Sequence, residues 1–72
     1  MEEFLQFVAK VLRVDRTQLS PDTSCGSISQ WDSIMHLRLV MEIEEKYNVE
    51  IHIDVVPTIK KLSQFYEHTK RQ

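Results

Sequence analysis

Gly26 is the only glycine of this chain, and Pro21 and Pro57 are its only prolines. A β-sandwich reverses direction many times in a short length and draws on glycine and proline to do so; helices need them only near their ends. Three segments carry a helical recurrence. Phe4, Val8, Val11 and Leu12 repeat at helical spacing, with Leu5 and Phe7 flanking, and predict a helix over about residues 2–13. Leu37, Val40 and Tyr47 trace a second face, with Ile34 and Glu44 at its margins and Leu39 and Ile43 widening it. That helix is expected from Ser33 to Tyr47, stopping at Asn48, a residue that tolerates the left-handed conformation common just past a helix end. Thr58, after Pro57, is the expected N-cap of a last helix with Ile59, Leu62, Phe65 and Tyr66 on its apolar face, ending near Thr69.

The connections are unequal. Val14 to Ile28 is long for so small a chain and holds the turn formers Ser20-Pro21-Asp22-Thr23-Ser24, with Gly26 free to take positive φ. Leu19 and Ile28 are expected to pin this loop to the core, and its length suggests a functional loop. Val49, Ile51, Ile53 and Val55 alternate as a strand would, but no other segment offers a partner. An extended connector with a short helical turn near Asp54 to Val56 is expected instead. The fold class is therefore all-α: a small four-helix bundle with three main helices, one short helix and a long first loop, forming one domain over residues 1–72.

A chain of seventy-two residues buries a thin core and has little room for a pocket that encloses a substrate, which argues against a stand-alone enzyme. Cys25 is the lone cysteine, so no intrachain disulfide forms and a reducing compartment is expected. No apolar run approaches a membrane span, and Met1-Glu2-Glu3 is acidic where a secretory signal is basic. The expectation is a cytoplasmic monomer. Charge is segregated: residues 1–31 carry four acids and three bases, residues 32–57 six acids and two bases, and residues 58–72 one acid and four bases. The acidic middle repels nucleic acid and attracts basic protein faces; the basic tail reads as solvated helix surface. His36, His52, His68 and Cys25 have no metal-ligand spacing, so no metal site is expected, and Cys25 reads as a half-buried loop side chain.

One segment carries chemistry: Ser29-Gln30-Trp31-Asp32-Ser33-Ile34-Met35-His36-Leu37. It places the Ser33 hydroxyl at the start of the second helix, where free backbone N–H groups and the helix dipole favour a phosphate. Asp32-Ser33 is also an ordinary N-cap, worth about 1 kcal/mol. His36, one turn on, invites a hydrolase reading, but a nucleophile needs an oriented base and an oxyanion hole, and Asp32 sits beside Ser33 rather than behind His36. His36 is expected at the surface near a partner interface, and Trp31 as a loop anchor or contact.

Taken together, the first-helix pattern, Val14-Asp15 through Leu19, Asp32-Ser33-Ile34, Leu39-Val40-Met41-Glu42-Ile43-Glu44-Glu45-Lys46-Tyr47 and Thr58-Ile59 resemble the acyl carrier protein family over nearly the whole chain. The resemblance implies that Ser33 matches the family's attachment serine for 4'-phosphopantetheine. A phosphopantetheinyl transferase using Mg²⁺ and coenzyme A would load it, with Asp32 as the neighbouring aspartate that helps present it. It implies a carrier, not an enzyme. Acyl-loading and acyl-processing enzymes would read it through Ile34, Met35, Arg38, Met41, Glu42 and Glu45, with Glu44 and Glu50 extending the acidic face. The sequence departs from the family at Ile34, where Leu is usual, and at Met35 and Arg38, where fatty-acid carriers are often acidic. These departures favour a specialised carrier of polyketide, secondary-metabolite or modified-lipid synthesis over one of the housekeeping fatty-acid pathway. The rival is an unmodified helical adaptor of the same fold.

Overall fold

A computed structural model describes residues 1–70; Arg71 and Gln72, the end of the basic tail, lie outside the described residues. The described residues form helices α1 (Glu2–Leu12), α2 (Ser33–Tyr47) and α3 (Leu62–His68), with 3₁₀ turns at Arg16–Gln18 and Val56–Thr58 and no strand. This is the expected all-helical bundle. The segment before α3 is a single turn, two residues later than the sequence suggests, and the turn at Arg16–Gln18 is an addition to it.

Each helix end has a local cause. Leu12 ends α1 because Arg13 enters the left-handed region at φ 62°, its N–H bonding to the Ala9 carbonyl. Asn48 ends α2 the same way at φ 54°, as its side chain predicts. The start of α3 departs from expectation. Thr58 does not cap it: its hydroxyl donates back to the Val55 carbonyl at 2.6 Å, closing the 3₁₀ turn. The helix begins at Leu62 because the long loop supplies its cap. The Leu62 N–H donates to the Thr23 carbonyl at 3.0 Å and the Ser63 N–H to the Pro21 carbonyl at 2.9 Å, while Ser24 and Lys61 pair in an isolated antiparallel bridge. Gln64 Oε1 accepts from the N–H groups of Lys60 at 2.6 Å and Lys61 at 2.9 Å. Backbone groups that a helix from Thr58 would pair internally are thus taken by the loop.

The core joins Phe4, Leu5, Val8, Ala9 and Leu12 of α1, Leu39, Val40 and Ile43 of α2, and Leu62 and Phe65 of α3. Leu19, Trp31, Ile51, Val56 and Ile59 enter it from the connections, and Ile28 packs against it half-buried. Full burial of such side chains contributes about 1.5–3 kcal/mol each against the entropy of ordering the chain. The connections supply a third of this core, and Leu19 and Trp31, both between α1 and α2, make that segment structural as well as open to a functional role. The stretch after α2 is pinned by Glu44, whose carboxylate accepts the Ile51 N–H at 2.7 Å. Glu44, read as part of an acidic docking face, therefore holds the fold.

The buried face of α2 differs from the expected one. Leu37 is 58% exposed and Ile34 75% exposed, whereas His36 is buried at 8% beside Leu39, Val40 and Ile43. Apolar residues occupy two stripes of this helix, and the stripe containing the histidine faces inward.

At the N-terminal edge, Arg16 grips Glu2 through Nε to Oε2 at 2.9 Å and Nη2 to Oε1 at 2.6 Å, and donates to the Leu19 carbonyl at 2.9 Å. The Arg16 bond, followed by one from Gln6, holds the Glu2 carboxyl below the usual glutamate range. Near α1, Tyr47 packs against Phe4 and Phe7, and its hydroxyl is buried without a hydrogen-bond partner among the described residues. Burial first, and the Glu3 carboxylate second, push that phenol up. An unpaired buried hydroxyl stabilises nothing, so Tyr47→Phe should leave the unfolding free energy from urea titration unchanged or raise it by up to about 1 kcal/mol. A fall greater than that would show that the hydroxyl is partnered in solution.

Candidate functional site

The site is built at the entry to α2. Gly26, at φ +87°, turns the loop so that its N–H meets the Trp31 carbonyl at 2.9 Å, and the Trp31 side chain is then wholly buried. With the loop anchored, Asp32 takes extended backbone angles and becomes the N-cap: its Oδ1 accepts the Met35 N–H at 2.9 Å, and its carbonyl accepts the His36 N–H at 2.9 Å. Ser33 is the first helical residue and is exposed. Its hydroxyl, its N–H and the N–H of Ile34 make no hydrogen bond among the described residues. The arrangement is an accessible nucleophilic oxygen at a helix N-terminus with two backbone donors open to an anion.

Beside Ser33 lies an open groove of about 550 Å³, walled mainly by the apolar residues Leu37, Ile53, Val56, Pro57 and Ile59, with Lys60 at its edge. That volume falls among small-molecule sites. Ile53, 78% exposed, overhangs it from the connector.

The histidine one turn beyond Ser33 corrects the surface placement. His36 lines the groove but is held within the fold, Nδ1 bonded to the Trp31 indole at 3.1 Å and Nε2 to the Val56 carbonyl at 3.0 Å. Both ring nitrogens are engaged, so neither is available as a base for Ser33. The motif reading missed this role because a histidine scores as polar in a helical pattern. The neighbouring tryptophan, too large to leave in solvent and carrying one donor, was the signal for a buried acceptor.

The other outward residues divide. Ile34 and Met41 are exposed, at 75% and 69%, and with Leu37 form an apolar stripe beginning at Ser33. Arg38 is exposed and faces Glu42 across 3.7 Å, a loose pair of small energetic worth. Glu45 is exposed, and Glu42 half-buried. Met35 is half-buried against the core and lines a separate hollow with Val11, Arg13, Gln30 and Arg38.

The sequence has counterparts among known proteins. Residues 2–66 match the family described as phosphopantetheine attachment site. An acyl carrier protein of Guillardia theta is 33% identical over 63 residues, covering 88% of this chain and 78% of that protein. The chain belongs to the acyl carrier protein family. Proteins of this family are carriers rather than enzymes and hold 4'-phosphopantetheine covalently. The residues at the start of α2 fit that group: a free hydroxyl for a phosphodiester, two open N–H donors for the phosphate oxygens, and an apolar groove alongside for the rest of the arm.

Asp32 serves this carrier domain by capping α2, and two variants separate that role from any part its charge has in loading. Asp32→Ala should cost about 1 kcal/mol in urea unfolding, whereas Asp32→Asn keeps a capping oxygen and should cost a few tenths at most. A transferase rate that falls in Asp32→Asn, with stability held, would assign the carboxylate charge to presentation of the serine.

Proposed function

We propose that Ser33 bears the arm and that the chain, as one domain and as a monomer, carries acyl intermediates on it. The observation that carries this reading is the exposed, unbonded Ser33 hydroxyl at the first position of α2, facing the groove. In the loading step the Ser33 oxygen forms a bond to the phosphorus adjoining the pantetheine of coenzyme A. The pyrophosphate link breaks, the nucleotide portion leaves with its own phosphate, and the serine proton passes to solvent or to the transferase. The N–H groups of Ser33 and Ile34 are placed to receive the new phosphodiester's charge, and α2's dipole adds to that. When bound, the group supplies a terminal thiol that holds acyl cargo as a thioester. Leu37, Val56, Pro57 and Ile59 give apolar cargo a surface away from water.

Partner enzymes read the carrier through Ile34, Met41, Glu42 and Glu45 on α2, with Arg38 a positive mark in an otherwise acidic field. Arg38 and Met35, at positions often acidic in fatty-acid carriers, favour a specialised pathway of polyketide, secondary-metabolite or modified-lipid type. The lone Cys25 is consistent with a cytoplasmic setting; among the described residues no helix is long and apolar enough to cross a membrane. The test is intact-protein mass spectrometry after incubation with coenzyme A, Mg²⁺ and a broad-specificity phosphopantetheinyl transferase. A gain of one arm is expected. No gain, with the transferase active on a control carrier, would overturn the reading in favour of an unmodified adaptor.

A further inference from the structure

The polarity of the bonds around His36 is set by chemistry. Trp31 is wholly buried, and an indole nitrogen only donates, so His36 Nδ1 must accept at 3.1 Å. The proton of the neutral ring is therefore on Nε2, which donates to the Val56 carbonyl at 3.0 Å. The imidazole lies nearly parallel to the Trp31 ring, at 18° with centroids 5.9 Å apart, and 5.2 Å from the Phe65 ring. One side chain thus ties the loop before α2 to the 3₁₀ turn after it, and His36 and Val56 both wall the groove beside Ser33.

We propose that Trp31, His36 and Val56 form a proton-operated latch on this groove: neutral His36 holds loop and turn against α2, and protonation at Nδ1 releases both. An imidazolium has no acceptor, so the Trp31 N–H would face a second donor, and a charge would sit among aromatic and aliphatic walls. No facing group offsets that charge. Across the groove stand Cys25 and the cation Lys60. The Asp32 carboxylate is turned to the Met35 N–H. Before the turn, exposed His52 and Asp54 face each other at 3.6 Å. From α3 the ring meets Phe65, with Tyr66, Glu67 and His68 the next titratable residues along that helix. The functional consequence, that cargo's access to the groove follows pH, rests on Ser33 bearing the arm; the latch itself is tested on the chain without it.

Trp31 is the only tryptophan, so its fluorescence reports the latch directly. Emission of wild type, His36→Gln and His52→Gln is followed from about pH 8 to about pH 5. Wild-type emission should shift to the red on acidification as the indole meets water. His36→Gln, whose amide both accepts and donates without titrating, should not shift, and His52→Gln should shift as wild type does. A flat wild-type emission, or an equal shift in a folded His36→Gln, would overturn the proposal. Should His36→Gln fail to fold, imidazole ¹⁵N resonances of the wild type decide. The Nε2–H tautomer at the basic end, with the Trp31 indole resonance moving as His36 titrates, supports the latch. The Nδ1–H tautomer, or an indole resonance that stays still, refutes it.

Discussion

Ser33→Ala is expected to abolish loading completely while leaving the fold as it is. The hydroxyl is the only atom changed, and it makes no hydrogen bond among the described residues. The residue is exposed at the first helical position, the cap belongs to Asp32, and alanine is the better helix former by about 0.5 kcal/mol. Stability should be unchanged or slightly raised, so a lost mass gain in this variant cannot be blamed on unfolding. Circular dichroism and the urea midpoint establish the fold; intact mass after transferase treatment reads the chemistry. An arm on the variant would move the attachment point to another hydroxyl, and the groove beside Ser33 would need another occupant.

Trp31→Ala should produce the largest loss of stability of any single change considered. The side chain is wholly buried, beside His36 and 6.2 Å from the Phe65 ring, and its indole N–H is the donor to His36 Nδ1. Truncating a buried tryptophan costs about 3–5 kcal/mol through lost transfer free energy and the cavity left behind. A chain of this size is stable by roughly 4–11 kcal/mol in total, so the variant should lose much of that and melt more than about 10 °C lower. Trp31→Phe separates the contributions: it keeps most of the apolar volume but leaves His36 Nδ1 without its donor, and should cost about 1–3 kcal/mol. A cost below about 1 kcal/mol for Trp31→Ala, by urea unfolding, would mean that the loop is not anchored through this side chain. The consequence reaches the site, because the Trp31 backbone that orients Asp32 and Ser33 is held by the same burial.

Much of this was legible from local pattern. Helix α2 runs from Ser33 to Tyr47 and stops at Asn48 as its residues predict, because both ends are decided within a few residues: an aspartate that caps its own helix and an asparagine that enters the left-handed region. The residue proposed to bear the arm stood out for the same reason, since Asp32 and Ser33 create the helix start that exposes the hydroxyl. What was not legible depended on contacts far along the chain. The start of α3 was misplaced at Thr58 because its true cap is formed by carbonyls of Pro21 and Thr23, some forty residues earlier.

The inward face of α2 shows where the boundary lies. By itself, the sequence determined that this segment is a helix, that it begins at the serine and that it carries more apolar residues than one face can hold. Only the tertiary structure decided which stripe goes inside. It buried His36, at 8% exposure, and left Leu37 at 58%, because the loop brings the Trp31 N–H and the 3₁₀ turn brings the Val56 carbonyl to the two ring nitrogens. A histidine with both nitrogens satisfied is tolerated in a core, whereas an apolar pattern counts only the side chain's own preference for water. Leu37, turned outward in exchange, became a wall of the groove beside Ser33, and Ile34 an exposed neighbour of that serine.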